Sequence, residues 1–267
     1  MTVPDAPDGP ERPLPGGMGS GNAVVRVGDT VRRPVRPQSA SVAAFLHHLE
    51  SVGFPGAPRY LGLDDRGREV MTYIEGDVGL PPFPAWVGEE TLLVGVARLQ
   101  HALHEAAASF FPPQHAVWDR PNLGELEPGS LVCHNDLCVE NVVVRAGRPI
   151  AFIDFDFAAP SDPLLDIAIA ARHWVPIRDP LDVDPELHGL DSVARFHRFV
   201  DAHELDRAGR DRVVGHLGAF LDRALVAMRA RAESGLEAYV RVWNAGYAEQ
   251  NRRSRAWVER HARDLVG

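Results

Sequence analysis

The sequence predicts an α+β protein of two lobes: a small β-rich N-terminal lobe and a larger, mostly helical C-terminal lobe. Three observations carry this reading. Short Val-rich runs punctuated by Gly and Pro fill the first 75 residues, with a single helical segment among them. Apolar residues recur at helical spacing over 89–110 and again from about 162 onward. Between these helical segments, "LVCHNDLCVENVVV" (131–144) reads as a buried strand that breaks off and starts again. A core strand has no use for such an interruption, because each buried polar group needs a partner.

In chain order, residues 1–15 are rich in Pro, Asp and Gly and are expected to be a disordered tail. "GGMGSG" (16–21) follows, then strands near 22–27 and 30–33 joined at Gly28-Asp29 and closed by Pro34 and Pro37. "SVAAFLHHLESVGF" places Val42, Phe45, Leu46, Leu49 and Val52 at helical spacing, with Ser41 as N-cap and Gly53 as stop. "REVMTYIEGD" supplies a strand over 68–74, so the N-terminal lobe is drawn at 16–74 and the C-terminal lobe at 75–267.

The larger lobe opens with the amphipathic helix 89–110 and an irregular stretch, 111–130. Short strands are expected at 130–134, 141–145 and 150–153, turned by Gly147. "DPLLDIAIAARHW" starts a helix capped by Asp162; an acidic, Pro-rich loop fills 175–191, and helices with breaks near 205 and 234 complete the chain.

Composition narrows the chemistry. With 267 residues, 45% hydrophobic and 24% charged, the chain has the make-up of an ordinary globular protein. No apolar run approaches bilayer length, and the N-terminus lacks the pattern of a secretory signal, so a cytoplasmic protein with no membrane partner is expected. A net charge of −9 argues against nucleic acid and is compatible with a cationic substrate. All 28 basic residues are arginine. A phosphate loop ending in Gly-Lys and a Schiff-base lysine are therefore excluded, and arginine must do any phosphate binding that lysine would otherwise do.

His134, Asp136 and Asn141 form H-x-D-x-x-x-x-N on a loop between two strands, and Asp154 ends the next strand. Phosphoryl transfer needs carboxylate and amide oxygens to hold a divalent ion, and a base beside the acceptor hydroxyl. Asp136 suits the base, Asn141 and Asp154 suit Mg²⁺ as hard oxygen ligands, and His134, placed in the same catalytic group, suits bracing of the loop. Zinc on Cys133, His134 and Cys138 is the competing reading. It is disfavoured because adjacent strand residues point apart and no fourth ligand is evident, which leaves the cysteines as small core residues.

These residues resemble the aminoglycoside phosphotransferase and choline kinase-like family, which has a protein kinase-like fold. The likeness lies in "HNDLCVENVVV" (134–144), "IDFDFAAPSDPLLDIA" (153–168) and the Gly-rich start with its hairpin. It implies transfer of the γ-phosphoryl of ATP or GTP to a hydroxyl of a small molecule, with Mg²⁺. By position it makes Asp136 the base and Asn141 and Asp154 the metal ligands. Asp166 braces the loop, and Asp156 has an assisting or capping role. Asn135 stands where the family has Gly, a position where Asn tolerates unusual backbone angles. The family's phosphate-binding lysine is absent. Arg33 is its expected replacement, sharing a strand face with Val31, while Arg32 points the other way; Glu50 is its expected ion-pair partner.

Gly17 and Gly19 are expected near the phosphates, against the alternative of a plain linker, and the backbone of Thr72–Ile74 is expected at adenine. Asp179, Asp182, Asp184, Glu186 and Asp191 read as a solvated loop rather than a cation site. Trp174, Trp243 and Tyr247 read as core packing, and His47, His48, His101 and His104 as surface or rim residues. The missing lysine leaves a second reading open: a nucleotide- or ligand-binding module with weakened catalysis. The acceptor's identity and the oligomeric state are left open by the sequence.

Overall fold

The structure is a computed structural model of the chain, and it describes residues 9–14, 23–120 and 122–267. The N-terminal sheet has five antiparallel strands: β1 (Arg12–Pro13), β2 (Val25–Val27), β3 (Thr30–Arg33), β4 (Tyr60–Leu63) and β5 (Glu69–Thr72), ordered β1-β2-β3-β5-β4. Two of these were not expected. Arg12–Pro13 pairs with Arg26 and Val25 at the sheet edge rather than lying in a tail, and Glu11 beside it meets Arg66 at 2.9 Å and Arg68 at 3.0 Å. β4 is a four-residue strand around Gly62, too short for its alternation to register in sequence.

Helix α1 (Ser39–Ser51) packs Val42, Phe45, Leu46 and Leu49 inward. Its N-cap is Gln38 rather than Ser41; the Ser41 hydroxyl instead accepts the Val117 N–H at 2.8 Å, tying the helix to the larger lobe.

Residues 73–77 lead from β5 into the larger lobe and pair with it through reciprocal bonds between Asp77 and Val144, each 2.8 Å. Gly76 makes this possible: at φ +156°, a Cβ there would lie 2.7 Å from the Val144 carbonyl oxygen.

The larger lobe contains helix α2 (Glu90–Ala107) and four short strands, β6 (Leu131–Cys133), β7 (Val142–Arg145), β8 (Arg148–Phe152) and β9 (Ala159–Ser161), followed by helices α3 (Pro163–Trp174), α4 (Ser192–Asp201), α5 (Arg207–Glu233), α6 (Glu237–Asn244) and α7 (Tyr247–Val266). β6 pairs with β9 and β7 with β8, both antiparallel. β9 went unseen because its three residues, Ala-Pro-Ser, carry no strand pattern. Asp162 caps α3 through the Leu164 N–H at 2.9 Å, with Pro163 at the first helical position. One continuous core joins α1, α2, the strands β6–β8 and α3–α5, so the loop 134–141 rests on a packed base. Among the described residues, no helix is long and apolar enough to cross a membrane.

Candidate active site

The loop 134–141 is held at almost every residue. His134 is fully buried, and its Nε2 donates to the Ile153 carbonyl at 2.9 Å. That acceptor-only partner fixes the tautomer and leaves Nδ1 bare, and burial lowers the ring's pKa so that it stays neutral. His134 is therefore a positioning residue, correcting its place in the catalytic group: a ring sealed between Phe152 and Phe155 cannot reach a substrate.

Asn135 adopts φ +61°, a left-handed geometry that Asn tolerates better than most residues. Its amide nitrogen bonds the carbonyls of Cys133 and Ala159 at 3.1 and 3.0 Å, while its oxygen accepts from the Ser161 hydroxyl at 2.6 Å. Its backbone N–H donates to Asp166 Oδ1 at 2.6 Å, and Asp166 Oδ2 takes Gln100 and His104 at 2.8 and 2.7 Å. Asp166 is thus the brace the resemblance implied. His104, expected at the surface, is buried because this carboxylate holds it. Those contacts keep the Asp166 carboxyl below the usual carboxylate range despite its burial. The indole N–H of Trp174 closes the set by donating to the Leu137 carbonyl at 3.1 Å.

This scaffold presents Asp136, Asn141 and Asp154 together. The Asn141 amide nitrogen donates to the Asp136 carbonyl at 2.8 Å and to its carboxylate at 3.0 Å. Its peptide carbonyl accepts the Ile153 N–H at 2.9 Å, which sets Asp154 next to the loop. Asp154 leaves β8 at φ 59°, ψ 64°, an uncommon conformation for a non-glycine residue. Both Asn141 and Asp154 line a cavity of about 310 Å³ between the sheet and the larger lobe. Burial and the nearby Asp154 charge push the half-buried Asp136 carboxyl up to about 8. Burial and Asp156 raise Asp154 too, while Arg33 counters them.

Arg33 enters this cavity from β3 with Val31 beside it, as the alternation predicts; Arg32 turns away to Asp64 at 3.7 Å. Glu50 is not its partner. Glu50 stands near the exposed end of α1 and meets Arg59 at 3.3 Å. Glu69, directly opposite Arg33 in the β3–β5 register, bonds it at 3.0 Å. The guanidinium also lies 3.5 Å from Asp154 and pairs with Asp156, which in turn meets Arg36 at 3.2 Å. Sequence reasoning missed Glu69, although a lone acid opening an apolar strand was the available signal.

Thr72 and Ile74 both line the cavity. The Thr72 N–H already donates to the Arg59 carbonyl at 3.0 Å, and its hydroxyl accepts from the Arg59 N–H at 2.9 Å, which corrects its expected role at adenine. The peptide of Ile74 makes no hydrogen bond among the described residues and is the free donor and acceptor. Gly17 and Gly19 lie outside the described residues.

A second, smaller cavity of about 60 Å³ lies on the other side of the loop, lined by Asp136, Asn135, Asp119, Asn122, Phe157 and His173. Asp136 thus stands at its floor while bonded to a residue of the larger cavity. A third, of about 170 Å³, shares His173 and holds Cys138, Glu140 and Arg178. The acidic loop is solvated in part: Glu186 and Asp191 are exposed, whereas Asp182 is bonded twice by Arg253, at 2.6 and 2.8 Å, and Asp184 meets Arg178 at 3.3 Å. Cys133 is buried and both cysteines are free. Trp174 is core, as expected.

A family model described as "Phosphotransferase enzyme family" matches residues 117–190, the span of this loop and brace. The trifolitoxin immunity protein of Rhizobium leguminosarum bv. trifolii is 32% identical over 265 residues, covering 92% of this chain and 95% of the relative. The chain belongs to the phosphotransferase enzyme family. Its fold is kinase-like. A choline/ethanolamine kinase family protein from Mesorhizobium loti, 16% identical, superposes with a TM-score of 0.63 over 97% of this chain and 92% of its own. An amicoumacin kinase in complex with AMP-PNP and Ca²⁺, 13% identical, gives 0.61 over 90% and 89%. The Asn135 side chain, at a position where the resemblance expects Gly, makes hydrogen bonds to Cys133, Phe157, Ala159 and Ser161 that a glycine would lack.

Proposed function

We propose that this phosphotransferase moves the γ-phosphoryl of ATP or GTP to a hydroxyl of a small molecule. The supporting observation is the bond between Asn141 and Asp136, because it joins the large cavity to the small one through one fixed loop. The nucleotide occupies the 310 Å³ cavity, with its base against Ile74 and its phosphates toward Arg33. In this reading residues 16–74 form the nucleotide-binding lobe and 75–267 the catalytic and acceptor-binding lobe.

The acceptor enters from the side of His173 and Asp119. Its hydroxyl oxygen attacks the γ-phosphorus, the bond to the β-phosphate oxygen breaks, and the hydroxyl proton passes to the Asp136 carboxylate. Asp136 is suited to this because its carboxyl sits near neutrality and its orientation is fixed by Asn141. The donor set fits Mg²⁺: the Asn141 amide nitrogen is taken by Asp136, which leaves its oxygen available, and Asp154 carries a crowded carboxylate that a cation would relieve. A bound Mg²⁺ would neutralise phosphate charge as it develops. Arg33 orients Asp154 and stands in for the absent lysine. A relative named for immunity to a toxin makes growth inhibitors the first acceptors to screen.

Thermal-shift titration with ATP and Mg²⁺, run beside a nucleotide-turnover assay, tests the reading. Magnesium-dependent stabilisation by ATP is expected, and Asp154→Ala is expected to remove both the magnesium dependence and the turnover. Undiminished turnover in Asp154→Ala would refute it.

A further inference from the structure

We propose that the acceptor is a hydroxyl compound with a flat apolar body, an aryl or heteroaryl alcohol, seated in an open groove against Trp118 with its hydroxyl reaching Asp136. The inference rests on the phosphotransferase reading and adds the substrate class to it.

The small cavity beside Asp136, of about 60 Å³, has room for a hydroxyl and little more. Next to it lies a groove of about 550 Å³, formed between the segment that follows β3 and residues 117–119. Asp119 lines both, so the groove continues into the cavity where Asp136 stands. A small-molecule site typically encloses about 300–1,000 Å³, which the groove supplies and the small cavity does not. Both walls are pinned. The Val117 N–H donates to the Ser41 hydroxyl at 2.8 Å, and the Gln38 amide donates to the Asp156 carbonyl at 3.2 Å. The Trp118 ring is partly buried and packs against both hydrophobic clusters of the core. A groove held in this way loses little freedom when a ligand enters it.

The chemistry of the walls selects the occupant. The charged side chains lining the groove are Arg36 and Asp119, and each is paired within the chain: Arg36 with Asp156 at 3.2 Å, and Asp119 with Arg231 at 3.4 Å. A charged acceptor body therefore meets no uncompensated partner there. Glu140, which has no cationic partner among the described residues, lines the 310 and 170 Å³ cavities and not this groove. Most of the remaining surface is apolar, from Pro34, Pro37, Val117 and Trp118, and Pro34, Pro37 and Val117 are exposed to solvent. Exposed apolar side chains gathered around a groove mark a ligand surface. Indole and pyrrolidine rings offer flat faces, and an aromatic ring stacked on an indole gains more than its buried area alone supplies. With the acceptor's ring on Trp118, its hydroxyl passes Asp119 toward Asp136. That hydroxyl loses its proton to the Asp136 carboxylate and gains the γ-phosphoryl, with the nucleoside diphosphate leaving.

The test is a matched panel incubated with the full chain, ATP and Mg²⁺ and read by mass spectrometry for phosphate gain. It contains tryptophol and naphthyl ethanol, their saturated-ring counterparts, and amino alcohols including aminoglycosides. The aryl alcohols are expected to exceed both other classes by about fivefold or more in kcat/KM. Val117→Arg fills the groove from an exposed position, so Tm is expected to hold. KM for the aryl alcohols is expected to rise by about tenfold or more in this variant, while KM for ATP moves less than about twofold. Trp118→Leu is expected to erase the preference for aryl over saturated rings; a merely structural tryptophan would lower Tm and leave the preference in place. Should Trp118→Leu not fold, Val117→Arg decides, and an unchanged KM for the aryl alcohols there overturns the inference. Saturated-ring or amino alcohols phosphorylated as well as the aryl alcohols would overturn it while leaving the phosphotransferase reading intact. No phosphate gain in any class, with magnesium-dependent stabilisation by ATP still seen, overturns the inference alone. No stabilisation by ATP either would sink both.

Discussion

The side-chain nitrogen of Asn141 donates to the carboxylate of Asp136 at 3.0 Å, and this bond ties a carboxylate of the small cavity to a residue lining the 310 Å³ cavity. Asp136→Asn keeps the shape and removes the base. A loss of kcat of about 10²- to 10⁴-fold is expected, with little change in KM for nucleotide. Tm should hold or rise, because burial and the Asp154 charge disfavour the ionised carboxyl. Steady-state kinetics and a melting curve check both; wild-type kcat in this variant would remove Asp136 from the mechanism.

Arg33 joins two roles that are usually assigned separately. It ties Glu69 into the sheet and leans on Asp154 and Asp156 in the cleft. Arg33→Ala leaves Glu69, 1% exposed, as an uncompensated buried charge, so a loss of about 3–5 kcal/mol is expected in denaturant unfolding. Arg33→Lys restores charge without the planar fork and should recover only part of that stability. Equal stability of the lysine variant and wild type would show that the fork geometry is unimportant.

Asn135→Gly restores the family's residue at this position. It removes the αL strain but forfeits the bonds to Cys133, Phe157, Ala159 and Ser161. A net loss of about 1–3 kcal/mol is expected with turnover retained, since the backbone bond to Asp166 survives. A variant more stable than wild type would mean the side-chain bonds do not outweigh the strain.

His203, just beyond α4, is buried with neither ring nitrogen bonded, facing His101 and His104 on α2, Phe199 on α4 and the Asp166 carboxylate. Burial first, then His104 and His101, lower its pKa to about 3. The unfolded chain takes up this proton near the ordinary histidine value of about 6.5, and the native state does not. Stability is therefore complete above about pH 6.5 and falls as pH drops toward 3, by up to about 1.4 kcal/mol per pH unit. His203→Leu should lose less stability than wild type between pH 7 and pH 5 in urea titrations. Parallel losses in the two proteins would assign the acid lability elsewhere.

Much of the site could be read from the sequence because its constraints are local. Asp136 and Asn141 share one short loop, Asp154 ends the adjoining strand, and period-two alternation was enough to place Arg33 rather than Arg32 in the cleft. Glu69 was not legible in this way. It lies 36 positions from Arg33, and only the antiparallel register of β3 and β5 sets the two side by side. Glu50, nearer in sequence, sits on a helix end facing solvent and Arg59. His104 shows the same effect: a helix pattern cannot reveal that a buried carboxylate 62 positions away will draw the ring inward.

By itself, then, the sequence determined the order of the longer elements, the polar loop and the absence of lysine, because periodicity, turn chemistry and composition act over a few residues. Only the tertiary structure decided which charges cancel. It paired Asp179 and Asp182 of the acidic loop with arginines of α7 and gave Arg33 its carboxylates. Ion pairing depends on distances of a few ångströms between groups remote in the chain, and those distances exist only once the core has packed.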